Sequence, residues 1–555
     1  MSLKRKLECA RFDDEYEVKK TKFNELLFTN DYIQHVFSFL DQDFIFRTCL
    51  LISKQFREQS INTPVALCIR RNEHLERIRN LTHPLNITEL KIDKNVHYDV
   101  LEWIFHHPPK HLKKLSIDKS DYTADGKPVG DDYVEKLCGI PALSTLISLH
   151  IGEPEITNQG CSFIANCEHF QNLTELSVDT SLISDFAYCY DKGVEEIVTS
   201  KYMSNLTILC FEHFYKLRKI DGILSSPLFL NVKILELSYC WLEKLDFPQV
   251  MPLLEDLNVM GYVFKSSDLV ALTQTRNLTR LNLSQSGLDD EGCKILSENQ
   301  YLSKVTDLDL ENTEFTAKGL NYILSSPYFK QLKHLNLVCF VDNEGFKILA
   351  ESENMKNLTK LELGYETYGN EISWYGLSYI FNSDNLPNLK SLNFQCLNLR
   401  DNNFASMLVK SSIRKNLTSL EMYECELDLS IIQHVAQLDG LRELFIATEH
   451  IAVDMPCAAE CIASSSHMSN LTSLTLRCNI TDSDCLHMAN SIYLKQLTTL
   501  DLSSDRIGND GCKYFANSPN FPNLTTLVLP RRNNVGLEMI QNSPYFRNLK
   551  RFNIY

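Results

Sequence analysis

The sequence is first informative for what it lacks. It has no basic excess: the formal net charge is −16 at pH 7, whereas a general nucleic-acid or anionic-membrane surface needs a basic footprint. No uninterrupted apolar run is long enough to cross a bilayer, and Met1-Ser-Leu-Lys-Arg-Lys-Leu-Glu-Cys-Ala has no apolar signal-peptide core. A chain in the reducing interior of the cell is expected. Its 18 cysteines are dispersed, with no paired Cys-x-x-Cys grouping that would hold zinc. There is no Gly-rich phosphate loop ending Gly-Lys-Ser/Thr, no His-Glu-x-x-His and no Gly-x-Ser-x-Gly. No enzyme, cofactor or metal site is therefore expected. The densest histidine group, His106-His107-Pro-Pro-Lys-His111, has no carboxylate or thiolate paired with it in sequence and reads as a loop.

What is present is one phrase, returned to again and again. Asn277-Leu-Thr-Arg-Leu281-Asn-Leu283 is followed by Gln331-Leu-Lys-His-Leu335-Asn-Leu337 and Asn357-Leu-Thr-Lys-Leu361-Glu-Leu363. Aligned as apolar-x-x-apolar-x-apolar, the first positions run Ile87, Leu112, Leu146, Leu173, Leu206, Val232, Leu254, Leu278 and Val305. They continue with Leu332, Leu358, Leu389, Leu417, Leu441, Leu471, Leu497, Leu524 and Leu549. That is about eighteen units at roughly 27 residues each, a spacing typical of leucine-rich repeats and shorter than other repeat families. The fourth and sixth positions alternate at period two and so share one face of a short strand. A single strand of this kind cannot bury that face alone, so successive units must stack into a parallel sheet.

Between strands, Thr316-Ala-Lys-Gly-Leu320-Asn-Tyr-Ile323-Leu324 and Asp342-Asn-Glu-Gly-Phe346-Lys-Ile-Leu349 read as short helices capped by Thr316 or Asp342. Gly292, Gly319, Gly345, Gly511 and Gly536 recur at the helix start, where they are expected to let helix and strand backbones approach. Pro227, Pro327, Pro519 and Pro544 recur in the loop before the next strand. Cys240, Cys339, Cys396, Cys425 and Cys478 sit just past a strand phrase and read as small buried side chains. The Asn-Leu-Thr triplets match glycosylation acceptors but are the repeat phrase itself. Together these features resemble the leucine-rich-repeat superfamily, most closely its ribonuclease-inhibitor and cysteine-containing subtypes. The resemblance implies an α/β solenoid, a horseshoe with a parallel inner sheet and outer helices, over residues 61–555. It carries no fixed ligand.

Residues 23–60 break the period. Ile33, Val36, Phe37 and Leu40 form a helical stripe after Thr29 or Asn30, and Asp41 or Asp43 can cap a second helix, giving a small all-α module. Val36-Phe37-Ser38-Phe39-Leu40, Asp43-Phe44 and Ser53-Lys54-Gln55-Phe56 resemble an F-box, with Phe28-Thr29 where that family has Leu-Pro. The resemblance implies binding to a Skp-type adaptor and its cullin ligase through Phe28, Val36, Phe37, Leu40 and Phe44. The alternative reading is a plain cap over the first core layer of the solenoid. Val65-Ala-Leu67-Cys-Ile69 reads as an abbreviated first strand joining the two regions. In the tail, residues 1–22, the clusters Lys4-Arg5-Lys6 and Lys19-Lys20-Thr21-Lys22 resemble a bipartite nuclear-import signal; a solvated disordered tail is the other reading. The expected compartment is the cytoplasm, with the nucleus as the extension that signal implies.

The open face of the sheet is the expected binding surface. Glu236, Asp256, Asp307, Asp309, Glu311, Glu362 and Glu421 make its centre acidic, against Arg280 and Lys360. Tyr239, Trp241, Tyr262, Tyr365 and Trp374 follow the strands as large amphipathic rings of the kind enriched at interfaces. Acid with aromatic favours a protein substrate with a basic surface. The reading is a non-catalytic substrate receptor resembling those of Skp–cullin–F-box ubiquitin ligases. Its rivals are a stand-alone scaffold or inhibitor similar to ribonuclease inhibitor, and a leucine-rich-repeat GTPase activator. The final phrase, Leu549-Lys-Arg-Phe552-Asn-Ile554-Tyr555, is expected to leave an edge strand shielded by its own loop or by a partner.

Overall fold

The computed structural model describes residues 64–69, 86–92, 99–118, 130–152, 156–179, 191–214, 217, 223–240, 242, 251–263, 265–339, 342–364, 374–400, 402–448, 458–503, 506–530, 534–546, 548–549 and 551–554. The tail, the N-terminal helical module and its Phe28, Val36, Phe37, Leu40 and Phe44 lie outside the described residues.

Every apolar phrase becomes a strand. The described residues form one 19-stranded sheet from β1 (Val65–Ile69) to β19 (Arg551–Ile554), the first strand coming from the abbreviated segment ahead of the repeats. Each strand is parallel to the next in sequence, and leucine aligns on leucine: Leu281 beside Leu308, Leu308 beside Leu335, Leu335 beside Leu361. The first, fourth and sixth positions all point inward, as Leu278, Leu281 and Leu283 show at 1% exposure or less. The fold is a leucine-rich-repeat solenoid, with the helices forming a second layer against this leucine core.

Local sequence sets each helix. In α6 (Ala317–Ser325) the Thr316 hydroxyl accepts from the Lys318 amide, and Gly319, Leu320, Ile323 and Leu324 are the buried stripe. In α7 (Asn343–Glu351) the Asp342 carboxylate accepts from Gly345 N at 2.9 Å. At Gly319 and Gly511 the missing Cβ makes room for a carboxylate of the preceding helix, not for the helix–strand approach expected of the recurrent glycines. Asp290, first residue of α5 (Asp290–Glu298), reaches across to the next repeat, where its Oδ1 accepts from Thr316 N and Gly319 N, both at 2.8 Å. A Cβ on Gly319 would lie 2.6 Å from that oxygen and 2.8 Å from Phe315 Cβ. Asp482, first in α12 (Asp482–Ala489), caps the following helix through Gly508 N and Gly511 N. Asn509, first in α13 (Asn509–Ala516), does so through Gly536 N at 3.2 Å. Where a helix opens on Ala317, which cannot reach forward, the next helix caps itself with Asp342.

Polar ladders tie the loops together. Ser226, Ser326, Ser383, Ser491 and Ser518 are buried, and each hydroxyl donates to a carbonyl of the preceding repeat, as in Ser226 Oγ to Val198 O at 2.6 Å. Each hydroxyl also accepts from a backbone N–H two residues on, which turns the chain into the short 3₁₀ segment where Pro227 and Pro327 sit. The triplet asparagines do the same on the surface: Asn357 Nδ2 donates to Lys330 O at 2.9 Å and Asn523 Nδ2 to Lys495 O at 3.0 Å. Their threonines follow, Thr359 Oγ1 to Lys333 O at 3.0 Å and Thr525 Oγ1 to Thr498 O at 3.0 Å. The Asn-Leu-Thr phrase is thus a hydrogen-bonding unit wrapped round a core leucine.

Of the five post-strand cysteines, Cys240, Cys339, Cys425 and Cys478 are buried as expected. Cys396 is half-buried instead, because it occupies the left-handed corner (φ 52°) at which the chain leaves the sheet. His213, Tyr239, Gln285, Asn312 and Glu424 take the same corner.

Gly319→Ala is expected to destabilise the chain by about 1–3 kcal/mol, since Asp290 and Phe315 must both move. Gly287→Ala, whose Cβ would meet only Val263 Cγ1 at 3.3 Å, serves as control and should be felt far less. Equal shifts of the urea midpoint in both would contradict the cross-repeat cap.

Candidate functional site

Alternation along each strand places two columns of side chains on the open face. The first runs Asp256, Arg280, Asp307, His334, Lys360 and Ser391 across consecutive strands from β8 (Asp256–Asn258) to β13 (Ser391–Gln395). The second runs Glu236, Asn258, Asn282, Asp309, Asn336, Glu362, Asn393, Glu421 and Phe445. The face is therefore where the sequence placed it. Its charge is arranged differently: the cations stand in register between the acids, and the patch is cross-linked rather than single-signed.

Arg280 grips Asp256 through Nη2 at 2.6 Å and Nε at 2.8 Å. Lys360 Nζ and His334 Nε2 both reach Glu362 Oε1, at 2.8 and 2.7 Å, while Asn393 Nδ2 donates to Glu362 Oε2 at 2.9 Å. Burial works to raise the Glu362 carboxyl, but hydrogen bonds from His334 and Lys360 and the charge of both outweigh it and hold it at about 2. On its other side the His334 ring stands 3.8 Å from Asp307 Oδ1, so one imidazole links two of the expected carboxylates. His334 was legible as a face residue of its phrase, but counting only fixed charges passes over it.

The remaining acids differ in character. Burial pushes Glu236 up to about 7, against hydrogen bonds from Ser238 and Asn258 that favour its charged form, with Glu212 and Asp256 nearby adding repulsion. At neutral pH it is only partly an anion. Asp309 and Glu421 are likewise raised by burial. Asn336 Nδ2 donates to Glu311 Oε2 at 3.0 Å. Even so, Asp256, Asp307, Asp309, Glu311 and Glu362 face only Arg280 and Lys360 as permanent cations on these strands, and the centre stays acidic.

The aromatic set needs correction. Tyr262 is 2% exposed, its hydroxyl 2.9 Å from Asp268 Oδ2, so it holds a loop and does not reach the face. Trp374 opens α8 (Trp374–Phe381), in the helical layer, because Trp374 to Phe381 continues as a helix and not as a strand edge. Trp241 and Tyr365 lie outside the described residues. Tyr239 does belong to the rim: its ring stacks on His213 at 5.0 Å and 7°, and its hydroxyl meets Gln285 Oε1 at 2.8 Å. The ring crosses Gly261, whose φ of +77° and missing Cβ leave room for it.

An aromatic pair was missed. Tyr423, 45% exposed, and Phe445, half-buried, lie on neighbouring strands β14 (Ser419–Tyr423) and β15 (Glu443–Ala447) with ring centroids 6.5 Å apart. Phe445 stands beside Glu421 in the column. Its signal was present: in Leu444-Phe445-Ile446 an apolar residue fills a position that faces solvent in other repeats.

Among the described residues, Asp179, Glu212 and His213 are the group whose ligand atoms lie within 4.8 Å of one another and which could hold a cation. Within it His213 Nδ1 lies 2.7 Å from Asp179 Oδ1, in hydrogen-bond contact. The histidine-rich segment is not wholly the loop expected of it: His106 closes the helix α1 (Asp99–His106), where its Nε2 lies 3.6 Å from the Glu102 carboxylate, and His107 stacks on Trp103. No helix among the described residues is long and apolar enough to cross a membrane.

No family model matches the chain, and no curated protein matches it. Among solved structures, a crystal structure of an internalin from Listeria monocytogenes is similar over 77% of this chain and 94% of that one, at 16% identity and a TM-score of 0.34.

Because the Glu236 carboxyl is raised in the folded state, the native chain binds its proton more tightly than the unfolded chain. The stability this group contributes therefore falls as pH climbs from about 4.5 to about 7. Glu236→Gln should remove that fall, making the variant more stable than the parent at pH 8 by roughly 1–2 kcal/mol, with the gap closing by pH 5. Parallel melting profiles for the two proteins across this range would refute the assignment.

Proposed function

We propose that the chain is a non-catalytic interaction scaffold whose sheet face, over residues Glu236 to Phe445, holds a protein segment with basic character. The carrying observation is an acidic track: the register of Asp309, Glu362 and Glu421 in one column of the face, on alternate strands with Asn336 and Asn393 between them, with Asp307 in the neighbouring column and Glu311 just past its strand. Tyr239, Tyr423 and Phe445 border it with rings of the type that anchor interfaces. A cationic partner would compete with Lys360 and His334 for Glu362 and add charge at Asp307, which accepts from Thr306 Oγ1 at 2.6 Å and stands 3.8 Å from His334. Steering by such a field falls as salt rises.

The finer reading adds the N-terminal module. Residues 23–60 would act as an F-box joining a Skp-type adaptor and cullin ligase through Phe28, Val36, Phe37, Leu40 and Phe44, with residues 1–22 as a tail and 61–555 as the solenoid. Its support is the F-box-like spacing of Val36-Phe37-Ser38-Phe39-Leu40 and Asp43-Phe44 directly ahead of the repeats. In that assembly the chain performs no bond chemistry, and presents a bound protein's lysines to a ubiquitin-conjugating enzyme by proximity. The rival reading, a stand-alone scaffold capped by the same helices, is favoured by Phe28-Thr29 in place of Leu-Pro.

Two measurements separate these statements. Purified Skp-type adaptor should be retained by the intact chain and lost from a Phe37→Asp, Leu40→Asp variant; no retention by the intact chain leaves the scaffold reading alone. Independently, Asp307→Asn with Glu311→Gln should weaken binding of a lysine- and arginine-rich peptide about threefold to tenfold and flatten its salt dependence. Unchanged affinity would remove the acidic track as the site.

A further inference from the structure

Most thiols in this chain are chemically quiet. Cys339, Cys425 and Cys478 are pushed up to about 12, and Cys240, Cys293 and Cys485 higher still, by burial first of all. One pair on the helical layer departs from this. Cys138 is the last residue of α2 (Asp131–Cys138), and Cys167 caps the end of α3 (Asn158–Asn166) one repeat later. Cys167 Sγ lies 3.6 Å from Cys138 O, and Cys138 Sγ lies 3.5 Å from Phe163 O, which sets the two cysteines side by side across the repeat boundary. The backbone amides of His169 and Phe170 follow Cys167 in the next short 3₁₀ turn. Cys138 is half-buried and Cys167 is 5% exposed, so any reagent reaches the pair past Cys138, and all 14 cysteines among the described residues are free thiols.

We propose that Cys138 and Cys167 form a hydroperoxide-sensitive dithiol that closes into a disulfide between adjacent repeats. The neighbouring Cys138 side chain and the two backbone amides lower the Cys167 thiol, while the Cys167 side chain, with burial and Glu135, raises that of Cys138. This division of labour suits two successive displacements. The Cys167 thiolate attacks one oxygen of hydrogen peroxide; the O–O bond breaks, hydroxide leaves and takes up a proton as water, and Cys167 becomes a sulfenic acid. Cys138 sulfur then attacks the Cys167 sulfur, forming S–S and breaking S–O; the hydroxide leaves as water with the Cys138 proton. Overall two thiols give up two electrons, and one peroxide becomes two waters.

The other ends of the same helices are already joined, since Asp131 Oδ1 accepts from Thr157 N at 2.9 Å. A disulfide would therefore close α2 and α3 at both ends and stiffen one step of the solenoid. In a reducing compartment it would be reversible, and it acts independently of the sheet face.

The test uses the full chain, fully reduced and then treated with hydrogen peroxide. Trypsin cannot separate the two cysteines, because no Lys or Arg lies between Leu137 and Asp191, whereas cleavage after Glu155 and Glu168 does, and fragmentation of the released peptide distinguishes Cys167 from Cys161. The expected product is a peptide linked through Cys138 and Cys167 that dithiothreitol dissolves. In Cys138→Ser, Cys167 should remain as a sulfenic acid trapped by dimedone; in Cys167→Ser, Cys138 should stay reduced. Absence of the link in the parent protein, or oxidation of Cys138 in Cys167→Ser at the parent's rate, overturns the proposal. The parent measurement stands even if a variant fails to fold.

Discussion

Every repeat in this chain ends with backbone carbonyls that it cannot satisfy by itself, and the next repeat supplies the donors. Ser326 reaches back to Ser297 O, Asn357 to Lys330 O and Thr498 to Thr472 O. An unpaired buried carbonyl costs about 1–3 kcal/mol, a sizeable part of what burying one leucine gains. The leucines make stacking favourable, but these donors fix the interval at which it occurs. That constraint explains why Ser, Asn and Thr recur in phase with the apolar phrase although none belongs to the core.

The sheet was readable from sequence because its signal is repeated and period two is unambiguous. A one-residue slip at Leu308 would turn Asp307 and Asp309 inward, so the apolar positions also identify the face residues. What escaped reading depends on side-chain reach. Nothing in the spacing of Gly319 says that Asp290, 29 residues earlier, occupies the space of its missing Cβ. Tyr262 and Tyr239 stand at similar places past their strands, yet one turns under a loop to Asp268 and the other lies across Gly261. The N-terminal module differs again: its resemblance rests on a short, unrepeated pattern, with no register to check it.

The electrostatics of the face show why composition alone misleads. A count of carboxylates describes an anionic surface, but Glu362 is held ionised by the hydrogen bonds from His334 and Lys360 that also occupy it, and Glu236 is pushed up to about 7 by its burial. Asp307, whose partners are the Thr306 hydroxyl and the His334 ring, is an acid of this face that a partner's cation meets without displacing a lysine or arginine bonded to it. Recognition there depends on exchanging existing ion pairs as much as on filling vacant ones, which favours selectivity over raw affinity.

The helix caps give the solenoid a direction. Asp290, Asp482 and Asn509 each serve the helix that follows, so an acid lost from one repeat exposes amides in its successor. The dependence does not run the other way: losing the successor leaves the acid merely solvated. Fraying that begins toward the N-terminal side therefore removes support from the layer ahead of it, whereas fraying from the opposite side leaves the preceding helix start intact. The array is symmetric in its leucines and polar in its failure, and the surest brake on loss from the N-terminal side is a repeat such as that of α7, which carries its own cap in Asp342.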